Sequence, residues 1–145
     1  MIDIVIVNWN SGELIQSCIE SIHQYDDDVI KKIIVVDNGS TDGSDSYLED
    51  FPLVTLVRAK SNLGFAKACN LGAQYTTNEF ILFLNPDTVI YPDTFTKVLD
   101  FMSEPKQKTF GICGIQLLDE ENKVLRHCSR IPTANSFIFH ALGLD

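Results

Sequence analysis

Four stretches of the chain are apolar at nearly every position, and most run straight into polar residues. They are Ile2 to Val7 (Ile-Asp-Ile-Val-Ile-Val), Lys32 to Asp37 (Lys-Ile-Ile-Val-Val-Asp), Val54 to Arg58, and Glu79 to Leu84 (Glu-Phe-Ile-Leu-Phe-Leu). Such short runs predict buried strands, parallel ones above all, because a strand covered on both faces has no polar side to alternate with. Between them, apolar residues return at helical spacing. Leu14, Ile15, Cys18, Ile19 and Ile22 form one stripe, with Asn10 placed to cap the helix and Glu13 at the third position of a capping box. A short helix is expected through Tyr47 and Leu48, and a small-residue helix over Phe65 to Ala73. Pro92 and Asp93 open another, carrying Phe95, Val98, Leu99 and Met102 on one face.

Gly111 to Leu118 reads as a fifth strand, Glu121-Asn122-Lys123 as a turn, and Val124 to Cys128 as a returning hairpin arm. The segment from Ile131 to Asp145 is apolar without a clear period. Alternating strands and helices predict the α/β class: a doubly wound, mostly parallel sheet with helices on both faces. Sheets of this kind bind ligands beyond the carboxyl ends of the strands, where the winding reverses. Asn8-Trp9, Asp37 and Asp87 all stand just past predicted strand ends.

Composition limits what the ligand can be. With 145 residues, 45% hydrophobic and 21% charged, the chain can fill one ordinary core and is not disordered. Eleven basic against 20 acidic residues leave a net charge of −9, and no basic run exceeds Lys31-Lys32. A phosphate-tracking basic face is missing, so no nucleic acid is expected. A small anion held by backbone amides and a divalent cation stays open. Cys18, Cys69, Cys113 and Cys128 form no Cys-x-x-Cys pair, and His23, His127 and His140 have no zinc-ligand spacing. Buried free thiols in a reducing cytoplasm are expected. No secretory leader or membrane-spanning run is read.

Asp37 ends a strand of aliphatics. Its carboxylate can accept from a nucleoside, or can satisfy the amides of the following Asn38–Ser40 turn, and the spacing favours neither. Asp87 follows Asn85-Pro86, where the proline stiffens the turn and holds the carboxylate off the strand end. A magnesium-like cation on a diphosphate takes only one or two protein carboxylates, so one Asp is sufficient. Gly64 allows a close ligand or a positive φ. No Gly-x-Gly-x-x-Gly, Walker A or Gly-x-Ser-x-Gly motif occurs.

Val5-Ile6-Val7-Asn8-Trp9-Asn10, then Val36-Asp37-Asn38-Gly39-Ser40-Thr41-Asp42-Gly43-Ser44, then Asn62-Leu63-Gly64-Phe65-Ala66 with Asn70, then Phe83-Leu84-Asn85-Pro86-Asp87-Thr88 follow one another in that order. Together they resemble the family 2 glycosyltransferases of the GT-A, Rossmann-like fold. The Asn-Pro-Asp form is most similar to the rhamnosyltransferase-like branch that builds bacterial surface polysaccharides. The resemblance implies an inverting transfer of a hexosyl or rhamnosyl group from a UDP- or dTDP-sugar to a glycan or lipid-linked acceptor, with Mg²⁺ or Mn²⁺. It implies that Val7, Asn8 and Trp9 border the nucleotide, Asp37 bonds the base, Gly64 lies against the nucleoside, and Asn85 joins the nucleotide site. Asp87 then matches the metal-binding last carboxylate of the family's Asp-x-Asp, with Asn85 in place of the commoner first acid.

The family's general base, usually the Asp of a Glu-Asp pair, has no match after Asp87, where the one acidic cluster is Asp119-Glu120-Glu121. Residues 1–145 therefore read as the nucleotide-sugar-binding part, shortened, with the acceptor-binding half absent and the catalytic base unknown. A cytoplasmic location, peripheral at the inner membrane face, goes with that reading. The alternative is a non-catalytic module that keeps the fold and forms a homo-oligomer through apolar surface such as Phe137 to Leu142.

Overall fold

The computed structural model describes residues 1–25, 28–104 and 110–125. Four strands, β1 (Ile2–Asn8), β2 (Ile30–Asp37), β3 (Val54–Arg58) and β4 (Phe80–Leu84), form one sheet in the order β3-β2-β1-β4. Every pairing is parallel. All seven residues of β1 are buried, which is why its sequence shows no polar alternation.

Side-chain alternation divides the core in two. Ile4, Ile6, Ile33 and Val35 meet Ile15, Cys18, Ile19 and Ile22 of helix α1 (Leu14–Gln24), together with Leu48 of a 3₁₀ turn (Leu48–Asp50). Phe95 and Leu99 of helix α3 (Thr94–Ser103) join the same face. Val5, Val7, Ile34 and Val36 meet Ala68, Cys69 and Leu71 of helix α2 (Phe65–Ala73) on the other. The sheet is thus doubly wound, with helices on both faces.

Gly72 sets how close α2 lies. A Cβ there would fall 2.4 Å from Val5 Cγ1 and 3.1 Å from Val36 Cγ2. At the amino ends of the strands, buried Asp3 accepts from the Thr77 amide (2.7 Å), the Asn78 amide (3.1 Å) and the Asn78 side chain (2.8 Å). It thereby fixes the turn that leads from α2 into β4.

Two expectations change. Asn10 does not cap α1: it lies at φ 52°, and its side-chain oxygen accepts instead from the Thr41 amide at 2.8 Å. Glu13 precedes the helix and makes no side-chain capping bond. Gly111 to Leu118 forms no strand; Ile112 is 91% exposed, and a single antiparallel bridge joins Leu118 to Val124. An apolar run becomes a strand only when a neighbour takes its hydrogen bonds. The Asp119 carboxylate closes the intervening turn by accepting the Glu121 and Lys123 amides. Residues 1–110 form one compact unit and residues 111–145 a second. Asp26, Asp27, His127, Cys128, His140 and the Phe137 to Leu142 segment lie outside the described residues.

Candidate functional site

Connections from β1 to β2 to β3 run to one side of the sheet, and β4 returns on the other side of β1. The winding therefore reverses between β1 and β4, and the crevice past their carboxyl ends is the expected ligand site. A cleft of about 510 Å³ lies there. Of the residues singled out in the sequence, Val7, Trp9, Gly64, Asn85 and Asp87 line it. Asn38, Asn62, Phe65 and Leu14 line it as well and were not singled out. Leu14 belonged to the predicted core stripe, but it is the first residue of α1 and 56% exposed.

Asn8 and Asp37 are buried and do not line the cleft. The Asn8 side-chain amide has three acceptors within reach: Asp37 Oδ1 at 3.0 Å, Ser40 Oγ at 3.1 Å and Ser44 Oγ at 2.9 Å. Two N–H groups must be shared among them. Asn8 Oδ1 is buried without a partner among the described residues. Asp37 Oδ2 accepts the Ser40 amide at 3.3 Å, the bond expected of a turn-closing carboxylate.

The loop after β1 is stapled to the loop after β2. The Asn10 amide donates to Ser40 Oγ (3.0 Å), the Gly12 amide to Asp42 Oδ2 (2.9 Å), and the Tyr47 hydroxyl to the Gly12 carbonyl (3.1 Å). Asp42 also accepts from the Ser44 hydroxyl (2.6 Å) and amide (3.0 Å). Chiefly those Ser44 bonds hold its carboxyl below the usual range. The Ser-Thr-Asp-Gly-Ser run thus acts on the cleft through the Asn10–Gly12 loop.

A third loop is fastened by Asn38. Its side chain donates to Asn62 Oδ1 (3.0 Å) and accepts the Leu63 amide (2.8 Å), while Asn62 Oδ1 also accepts the Gly64 amide (2.8 Å). Gly39, at φ 81°, lets the two loops meet: a Cβ would lie 3.2 Å from the Asn62 nitrogen. Gly64 has φ 79° and ψ 156°, a combination open almost only to glycine, and a Cβ there would meet nothing within 4 Å.

Asp87 is exposed at the cleft, and no hydrogen bond or ion pair engages its carboxylate among the described residues. It is also the cleft's sole carboxylate among them, and no Lys or Arg lines the cleft. No group of three or more His, Cys, Asp or Glu gathers to hold a metal among the described residues. The site fits a cation held jointly by Asp87 and a ligand's own oxygens, and not a cage made of protein alone. Nearby, burial pushes the Cys18 thiol up to about 11, with Thr88 pulling it down and the Asp87 charge adding to the rise.

The family described as "Glycosyl transferase family 2" matches residues 3–141. The chain is 24% identical over 139 residues to the amylovoran biosynthesis glycosyltransferase AmsE of Erwinia amylovora, covering 93% of this chain and 51% of that protein. It is 29% identical over 116 residues to the uncharacterized glycosyltransferase YfnE of Bacillus subtilis, covering 77% of this chain and 29% of that one. Among solved structures, S. aureus TarS 1-349 in complex with UDP-GlcNAc superimposes with a TM-score of 0.64 at 22% identity, over 70% of this chain and 30% of that 1-349 chain. The mannosyltransferase PcManGT from Pyrobaculum calidifontis, in complex with GDP-Man and Mn²⁺, gives 0.65 at 26% identity, over 72% and 32%. The fold is thus of the GT-A, Rossmann-like type. The chain spans about half or less of the length of these relatives.

Proposed function

The chain belongs to glycosyl transferase family 2, and on that premise we propose that it holds the nucleotide-diphospho-sugar donor of an inverting sugar transfer to a glycan or lipid-linked acceptor. The observation that carries this reading is Asp87, a carboxylate left unpaired among the described residues, at a cleft on the switch point of the sheet.

Trp9 and Phe65, 56% and 59% exposed, offer apolar faces to the nucleobase. Gly64, with no Cβ, leaves room for the nucleoside. Asn8 and Asp37 act from below by fixing the Trp9 and Asn38 backbones, since the Asn38 amide donates to the Asn8 carbonyl at 2.8 Å. Asp87 would hold Mg²⁺ or Mn²⁺, which supplies charge neutralisation of the departing diphosphate. Asn85, uncharged, contributes by hydrogen bonding to the nucleotide or through a metal-bound water. Displacement at the sugar needs a base for the acceptor hydroxyl, and the cleft offers no second carboxylate among the described residues. Residues 1–145 on their own therefore bind donor and turn over slowly.

The Asn85-Pro86-Asp87 sequence favours the rhamnosyltransferase-like branch and a dTDP- or UDP-sugar. The AmsE relative, named for amylovoran biosynthesis, favours a role in cell-surface polysaccharide synthesis. We place that work in the cytoplasm, peripheral to the inner membrane face; no described helix is long and apolar enough to cross a membrane. Calorimetry with UDP, dTDP and GDP, with and without Mn²⁺, tests the reading. Metal-dependent binding of one nucleotide, lost in Asp87→Ala, is expected. Equal affinity with and without Mn²⁺, untouched by Asp87→Ala, would overturn it.

A further inference from the structure

No hydrogen bond or ion pair engages the Asp87 carboxylate among the described residues, so its position depends on the backbone that carries it. That backbone, residues 85–90, is tied to the buried face of α1 at both ends. At the first end, the Asn85 carbonyl accepts from the Thr88 hydroxyl at 2.7 Å and from the Cys18 thiol at 3.7 Å, with Cys18 Sγ 4.0 Å from Thr88 Oγ1. At the other end, the Ile90 amide donates to Ser21 Oγ at 3.0 Å, and that hydroxyl donates in turn to the Cys18 carbonyl at 2.7 Å. Cys18 and Ser21 stand three residues apart on one helical face, and they are 0% and 5% exposed. A buried serine in an otherwise aliphatic stripe needs a reason, because an unbonded hydroxyl there destabilises the fold. Its bond to Ile90 provides one: the segment leaves β4 and re-enters the core at Ile90, which is 6% exposed.

We infer that Cys18 and Ser21 are positioning residues: they clamp the 85–90 segment onto α1 and so set how tightly the cleft holds a metal-bound diphosphate. The second half of this inference rests on the donor reading above, whereas the clamp itself does not.

Amide hydrogen exchange on the chain without nucleotide tests the clamp. Ser21→Ala and Cys18→Ala should speed exchange from Asp87 to Ile90 and leave β1 to β3 unchanged. Titration with whichever of UDP, dTDP and GDP binds best then tests the consequence. Metal-dependent affinity should fall about fivefold, the equivalent of roughly one net hydrogen bond, while affinity for the same nucleotide in EDTA stays put. Ser21→Thr, which keeps the hydroxyl, should restore it. Ile34→Val, a core change on the α2 face, should leave it unaltered. Unchanged exchange at residues 87–90 would overturn the clamp. A parallel fall of metal-dependent and metal-free affinity, tracking thermal stability as for any core change, would overturn the positioning role. Should the wild-type chain show no metal-dependent binding while Ser21→Ala still frees the segment, the clamp stands and the donor reading fails.

Discussion

Gly64 stands just before α2 and Gly72 in its last turn, and the two are constrained by different physics. At Gly72 the space is missing, because an added Cβ would be driven into Val5 Cγ1 at 2.4 Å. Gly72→Ala should destabilise the chain by about 1–3 kcal/mol through overpacking. Urea denaturation of Gly72→Ala, Val5→Ala and the double variant checks this: the two losses should not add, since Val5→Ala removes the methyl that clashes. At Gly64 the space is open and only the backbone conformation forbids a side chain. The freedom that Gly64 gives the chain was legible from the residues; the packing role of Gly72 was not, because it depends on Val5 and Val36 of the sheet. The same holds for thiols. Cys18 is sealed under the 85–90 segment and Cys113 is exposed. Peptide mapping after brief iodoacetamide treatment at pH 8 should find Cys113 modified and Cys18 untouched until the chain is unfolded, as burial and a thiol raised to about 11 require.

Elements were easier to read than their ends. β1 to β4 and all three helices follow from apolar runs and helical stripes, because burial on both faces of a parallel sheet writes itself into every position. What failed at this scale involves partners far away in the chain. Asn10 has the chemistry of a cap, but Thr41, 31 residues on, competes for it. Gly111 to Leu118 is apolar enough for a strand, but among the described residues only its end is paired, through the bridge from Leu118 to Val124. Asp3 was passed over because one acid inside an aliphatic run reads as a flank. In the sheet it is the acceptor that holds the α2–β4 turn. Burial would raise its pKa, but the Thr77 amide, the Asn78 side chain and the Asn78 amide outweigh burial, so the carboxyl titrates below its usual value. Its stabilisation is therefore complete above the unfolded value near 4, and it fades as the pH falls through the lower folded value. Asp3→Asn should lose about 2–3 kcal/mol at pH 7, since the charge is lost and one oxygen becomes a donor facing the Asn78 side-chain NH2. The gap from wild type in urea midpoint should shrink towards pH 2; a constant gap would mean that the carboxylate's charge plays no part.

At the scale of the molecule, the charge decides how a diphosphate can be held. The chain carries −9, and no Lys or Arg lines the cleft among the described residues. Length and composition alone suggested a self-sufficient domain. The family match covers residues 3–141, and the chain spans about half or less of the length of the relatives it matches. An acidic protein with no cation in its cleft repels a bare nucleoside diphosphate, and salt screens that repulsion over about 10 Å at 0.1 M. Metal-free affinity for the best nucleotide should therefore hold steady or rise as NaCl goes from 20 to about 200 mM. A basic phosphate site would do the reverse, losing affinity steeply over the same range. With Mn²⁺ bound, the diphosphate charge is largely cancelled, and the salt dependence should flatten. The contrast needs only titrations at several ionic strengths with and without Mn²⁺. A steep metal-free loss with salt would assign the phosphates to a Lys or Arg outside the cleft described, and would remove Asp87 from the centre of the site.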